Sequence, residues 1–182
     1  MKILVVIDMQ NDFITGALGT PEAAEIVPRV VEKIHSWEGP IYATQDTHQP
    51  DYLQTQEGRV LPVEHCIAGT WGWKVEPSVR AALSEGAGHG ESTLYLTKST
   101  FGSRDLAEIL ARRHQEQPIE RIELVGLCTD ICVISNALVL KAFLPEVPLS
   151  VDGTCCAGVN PQSHRNALEA MEMCQISVRS NP

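Results

Sequence analysis

No run of about 18 consecutive apolar residues occurs in the 182-residue chain, which excludes a membrane-spanning helix. Positive charge is also scarce. Lys and Arg number 14 against 23 Asp and Glu, a net charge of −9, which argues against duplex nucleic acid or an anionic membrane as partner. A small neutral or cationic ligand suits such a chain. Internal repeats and low-complexity tracts are absent, and with 43% hydrophobic and 20% charged residues the composition is neither disordered, collagenous nor coiled-coil. The opening MKILVVIDMQ has no small-residue cleavage site behind its apolar run, so it reads as a strand rather than a signal peptide. Six cysteines (66, 128, 132, 155, 156 and 174) could suggest disulfides, but the chain is far longer than small stapled domains. They are read as thiols of a reducing cytoplasm. The length matches one domain spanning 1–182.

Short apolar runs alternate with stretches of helical spacing. Residues 2–7, 40–44, 94–97, 122–127, 149–151 and 176–178 read as strands, and 23–37, 103–113, 131–144 and 161–174 as helices. Fully apolar strands separated by helices imply a three-layer α/β domain with a mainly parallel sheet flanked by helices. Residues 45–73 break the alternation, because Pro, Gly, His and Gln leave no room for an element longer than a turn or two. Loops that long are functional or disordered, and this one holds two His, two Trp and several carboxylates. The glycine-rich stretch at 86–90 reads as a surface turn rather than a phosphate loop.

Ligands of open parallel sheets bind beyond the carboxyl ends of the strands, so the polar residues there carry the interest. Asp8 follows the first strand, Asp46 and His48 the second, Lys98 the third, and Cys132 lies past the fourth. Thr129 or Asp130 is placed to cap the next helix, putting Cys132 in its first turn, where free amides and the helix dipole favour a thiolate and could hold an oxyanion. A cysteine is more often a small buried hydrophobe than a nucleophile, and Cys132 taken alone reads either way. A nucleophilic thiol needs a base and a cation, which Asp8 and Lys98 can supply. In the long loop, Asp46, His48, Glu57 and His65 form a donor set suited to Zn²⁺, Fe²⁺ or Mn²⁺, or simply solvate the loop.

Three motifs then stand in order: Asp8-Met9-Gln10-Asn11-Asp12-Phe13, Lys98, and Gly126-Leu127-Cys128-Thr129-Asp130-Ile131-Cys132-Val133. Together they resemble the isochorismatase-like cysteine hydrolases over practically the whole chain. The resemblance implies a Rossmann-like sheet, a triad of Cys132, Asp8 and Lys98, a cis peptide between Leu127 and Cys128, and an oxyanion hole from the amides of Cys128 and Cys132. Within that family the loop is similar to the metal site of nicotinamidases, with Asp46, His48, Glu57 and His65 as ligands of a divalent ion. Phe13 matches an aromatic of the substrate pocket, to which Leu61, Phe101 and Ile131 are also assigned. Nicotinamidases commonly carry an aromatic just before the last metal histidine, whereas Leu61-Pro62-Val63-Glu64 precedes His65 here; Trp71 or Trp73 is the candidate replacement. The implied function is a metal-containing cysteine amidohydrolase converting nicotinamide to nicotinate and ammonia through a thioester. The alternative is another small amide, carbamoyl or ureido substrate. The resemblance further implies a homo-oligomer, dimer or tetramer.

Overall fold

The computed structural model describes residues 1–85 and 93–180. The stretch at 86–90, expected as a turn, lies outside them. At the centre is β1 (Lys2–Ile7), whose residues from Ile3 onward are all buried. Side chains of a strand alternate between faces, and an unbroken apolar run of this kind is stable only where both faces are covered. Ile3, Val5 and Ile7 join one hydrophobic cluster and Leu4 and Val6 the other. Each such side chain contributes about 1.5–3 kcal/mol of burial free energy, an upper bound against an extended unfolded chain.

Parallel partners flank β1 on either side. They are β2 (Ile41–Asp46), with Leu4 opposite Ile41, and β4 (Arg121–Leu127), with Lys2 opposite Arg121. Outward lie β3 (Leu94–Lys98) beside β2, then β5 (Leu149–Ala157) and β6 (Ser177–Arg179) beyond β4. Among the described residues the sheet has six strands in the order β3-β2-β1-β4-β5-β6, every pair parallel. Chain progression runs outward from β1 to β3, jumps back to β4 and runs out the other way. The helices of the first half, α1 (Asn11–Ile14), α2 (Pro21–Ser36), the short α3 (Gln56–Val60) and α4 (Pro77–Glu85), precede the jump. Those of the second half are α5 (Arg104–Glu116), α6 (Ile134–Phe143) and α7 (Pro161–Met173). Buried residues of α2 and α4 pack in one cluster and those of α5, α6 and α7 in the other, giving the three layers. The order reverses between β1 and β4, where such sheets open a crevice beyond the strand ends. No helix among the described residues is long and apolar enough to cross a membrane.

The expectation differs from the structure at three places. Leu94 and Tyr95 of β3 are exposed, because among the described residues β3 is an edge strand with no neighbour on its outer side. The helix α4 went unread, since only Val79, Ala82 and Leu83 mark its buried side. The strand expected at 149–151 runs on to Ala157, although Asp152 and Gly153 look like a break.

The extension is possible because Asp152 has a partner. Lys33 of α2 reaches across the sheet to Asp152 Oδ2 at 2.7 Å and Glu123 Oε1 at 2.6 Å. Burial works against the Asp152 charge, but Lys33 and Thr154 outweigh it and hold the carboxyl below its usual value. Lys33→Met leaves two inward carboxylates without their shared cation. A loss of about 3–5 kcal/mol is expected, measured as a lower denaturant midpoint. A depressed carboxylate stabilises above its ordinary range and stops doing so as pH falls through the lowered value, so the deficit shrinks in acid. An equal deficit at acid and neutral pH contradicts this assignment.

Candidate active site

Asp8 begins where β1 ends. Its φ of +46° is a left-handed conformation that Asp tolerates better than most residues, and it turns the carboxyl back over the strand ends. The neighbouring strand fixes it from two sides: the Asp8 N–H donates to the Thr44 carbonyl at 3.2 Å, and Thr44 Oγ1 donates to Asp8 Oδ1 at 2.7 Å. Lys98, the last residue of β3, brings Nζ to 2.6 Å from Asp8 Oδ2, 3.4 Å from Asp46 Oδ1 and 3.3 Å from Cys132 Sγ. Asp8, Lys98 and Cys132 are all buried. Residues separated by 90 and 34 positions thus meet around one ammonium because parallel strands end on one side.

The electrostatics divide the roles. Burial raises the Asp8 carboxyl above its usual value, and the Asp46 charge adds to this while Lys98 opposes it. Burial likewise disfavours the Lys98 charge, but Asp8, Cys132 and Asp46 overcome it and the ammonium persists. Burial and the Asp8 charge push the Cys132 thiol well up, with Lys98 pulling the other way. Burial thus opposes ionisation of the sulfur and makes Asp8 a stronger base than an exposed Asp, while the Lys98 charge is upheld by its neighbours. Burial works against the thiolate expected at a helix N-terminus, and Lys98 works for it. Cys132 sits in a single π-helical turn, Thr129–Val133, ahead of α6, and its cap position is Cys128, which makes no side-chain capping bond. Neither Thr129 nor Asp130 caps: Thr129 Oγ1 pairs with His164 Nδ1 at 2.8 Å, and the Asp130 carboxylate accepts from the Val159 N–H at 3.1 Å. The Leu127–Cys128 peptide is cis.

Beside the trio lies the second cluster. One donor atom each from Asp46, His48 and His65 falls within 4.8 Å of the others. His48 Nε2 is 3.0 Å and His65 Nε2 3.7 Å from Asp46 Oδ2. The Val63 carbonyl lies 2.8 Å from His65 Nδ1, which places the proton there and leaves Nε2 free to face Asp46. Two imidazoles and a carboxylate converging in a buried place fit a divalent cation of the Zn²⁺, Fe²⁺ or Mn²⁺ kind. Glu57 stands further out, its Oε1 3.7 Å from His48 Nε2 and 3.9 Å from His65 Nε2.

Several supporting residues were assigned no site role from the sequence, although Gln10 and Asp12 lie within the Asp8–Phe13 motif. Gln10, fully buried, clamps Asp46 by both backbone groups: Oε1 accepts from its N–H at 2.7 Å and Nε2 donates to its carbonyl at 2.8 Å. Tyr52, also fully buried, has its ring centre 4.6 Å from that of His48 and 5.0 Å from that of His65, and donates to the Leu61 carbonyl. Asp12 accepts from the Cys66 N–H at 2.7 Å, tethering the residue after His65.

Both clusters open on a cavity of about 290 Å³. Phe13, Leu61, Phe101 and Ile131 lie on its walls with Cys128 and Cys132. Trp71 and Trp73 do not line it. Trp73 is held away by its Nε1–H bond to Thr47 Oγ1 at 2.8 Å, and Trp71 is exposed. A larger groove of about 550 Å³ between α2 and α7 contains neither cluster. Cys128 is half-buried, with burial raising its thiol to about 12, and Cys174 is exposed.

Comparison with known proteins gives a concordant picture. A family model for the isochorismatase domain matches residues 2–181. The nicotinamidase of Escherichia coli is 26% identical over 94% of this chain and 90% of its own. The crystal structure of the nicotinamidase/pyrazinamidase PncA from Bacillus subtilis superposes with a TM-score of 0.82 at 27% identity, covering 98% of this chain and 99% of that one. The pyrazinamidase of Pyrococcus horikoshii in complex with zinc gives a TM-score of 0.78 at 25% identity, covering 99% of each.

Proposed function

The chain belongs to the isochorismatase family and is a nicotinamidase-like amidohydrolase, and from that premise we propose that it hydrolyses nicotinamide to nicotinate and ammonia through a thioester on Cys132. The observation that carries the reading is the meeting of a thiol, a carboxylate and an ammonium around Lys98 Nζ, at the wall of a small apolar cavity. Asp8 takes the Cys132 proton while Lys98 balances the thiolate charge. Sγ attacks the amide carbon, and the amides of Cys128 and Cys132 receive the oxyanion. Asp8 returns its proton to the amine, ammonia leaves, and the acyl group remains on sulfur. Asp8 then draws a proton from water, whose oxygen takes the acyl group, and the thiol re-forms. A divalent ion bound by Asp46, His48 and His65, with Glu57 at its edge, would supply a Lewis acid for a ring nitrogen and for ordered water. The zinc in the Pyrococcus relative supports this cofactor. Six free thiols suit the reducing cytoplasm as the place of action.

A second reading, hydrolysis of another small amide, carbamoyl or ureido compound, draws support from the ring pocket. Leu61 lines its wall and neither Trp71 nor Trp73 does, so the stacking aromatic of the ring site has no substitute from that loop. Ammonia release from nicotinamide, compared with release from such compounds, decides between the two. For nicotinamide, removal of the metal by chelation is expected to lower the rate by about 10²-fold or more, the upper end of losses seen when support of a metal ligand is removed. Zn²⁺, Fe²⁺ or Mn²⁺ should restore it. Full activity in demonstrably metal-free protein rejects the cofactor. Release from a ureido compound alone selects the second reading.

A further inference from the structure

We propose that Asn136 is a positioning residue that holds the Cys132 turn in register with the loop that follows Lys98; the proposal rests on Cys132 being the nucleophile. Asn136 lies four residues after Cys132, in α6, and is fully buried. Its Nδ2 donates to the Cys132 carbonyl at 2.8 Å and to the Phe101 carbonyl at 3.1 Å. Its Oδ1 accepts from the Ser103 N–H at 2.9 Å. Both amide hydrogens and the oxygen are thereby engaged, and all three partners are main-chain groups of two different segments.

Those segments carry the two halves of the proposed chemistry. One is the turn bearing Cys132. The other runs from Lys98 through Phe101, on the cavity wall, to Ser103, whose Oγ caps α5 by accepting from the Leu106 N–H at 3.2 Å. The direct link between the halves is the 3.3 Å contact of Lys98 Nζ with Cys132 Sγ. A flexible lysine cannot by itself keep a turn and a loop aligned. The Asn136 amide supplies that alignment by binding main-chain groups of both segments, and its own rotation is restrained by three bonds and full burial. An apolar residue would fill the same space but would leave the Cys132 and Phe101 carbonyls and the Ser103 N–H without this partner. Reacting groups displaced by about 1 Å commonly lose about 10²-fold in rate.

The test uses two variants of the full chain and a readout independent of the natural substrate. Iodoacetamide, a small amide, is applied and modification of Cys132 is followed by peptide mass spectrometry, which separates it from the exposed Cys174. For Asn136→Ala, the alkylation rate of Cys132 and kcat should both fall about 10²-fold. KM should also rise as the Phe101 segment loosens. Asn136→Ser gives the discriminating result. A serine hydroxyl in a helix can bond the carbonyl four residues back, which here is that of Cys132, yet it cannot reach the Phe101 segment. The Ser variant should therefore recover most of the alkylation rate while its KM stays raised. If folded Asn136→Ala alkylates at the wild-type rate, the proposal is overturned. It is also overturned if Asn136→Ser, which supplies the test should the Ala variant not fold, shows KM and alkylation moving together. Lack of nicotinamide turnover by the wild type, with Cys132 alkylation still dependent on residue 136, would reject the substrate and leave the positioning role standing.

Discussion

Turnover in Cys132→Ala is expected to fall by about 10⁴-fold or more, on the scale by which loss of the nucleophile disables covalent hydrolases. The fold should survive. The substitution removes one buried sulfur from a cavity wall, while Asp8 and Lys98 stay paired at 2.6 Å, so no buried charge is stranded. A cost within about 1–2 kcal/mol is expected of such a change. Steady-state ammonia release, together with a thermal melt of the same sample, measures both quantities. A melt close to wild type accompanied by wild-type turnover would reject Cys132 as nucleophile. Loss of turnover with collapse of the melt would mean that the sulfur is needed for packing, against the geometry described above.

Asp8→Asn is expected to cost about 10²–10⁴-fold in kcat, the range attributed to a general base. The pH profile gives the sharper reading. Burial first, and the Asp46 charge after it, lift the Asp8 carboxyl above its usual value against the pull of Lys98. The base acts when ionised, so wild-type kcat/KM should decline as pH falls through that raised value, before an exposed aspartate would protonate. Because Asp8, Asp46 and Lys98 interact, the limb reports the group rather than one carboxyl. In Asp8→Asn the residual activity should lose this limb. An unchanged acid limb in the variant would assign it elsewhere.

Residues at strand ends were legible in the sequence because a buried strand announces itself by composition and topology carries whatever follows it to one edge. Asp8, Asp46, His48 and Lys98 needed no more than that. Cys132 was visible through its motif, but its local geometry was misjudged, since a π-turn has no spacing signal that separates it from the first turn of an α-helix. The supports were illegible for a different reason. Gln10 bonds the backbone of Asp46, 36 positions away, and Asn136 bonds Ser103, 33 away; a side chain that serves distant main-chain groups leaves no periodicity behind. Trp71 and Trp73 show a further limit of sequence. Aromatics in the right loop were only candidates for the pocket, and a single indole bond to Thr47 directs Trp73 elsewhere. The strand β5 was truncated because Asp152 reads as polar punctuation until Lys33 is seen against it.

Of the three strands that deliver the trio, the one that carries the ammonium has the least holding it among the described residues. The donors of the base and the nucleophile, β1 and β4, are paired on both sides, whereas β3 is paired only with β2 and exposes Leu94 and Tyr95. Sheets open from their margins, so fluctuations that release β3 require far less free energy than global unfolding. Each such opening would withdraw Lys98 and leave Asp8 and Cys132 in place. Heat should therefore silence this protein before it melts it, with amide exchange along β3, and not the cooperative transition of the whole chain, setting the temperature at which activity disappears.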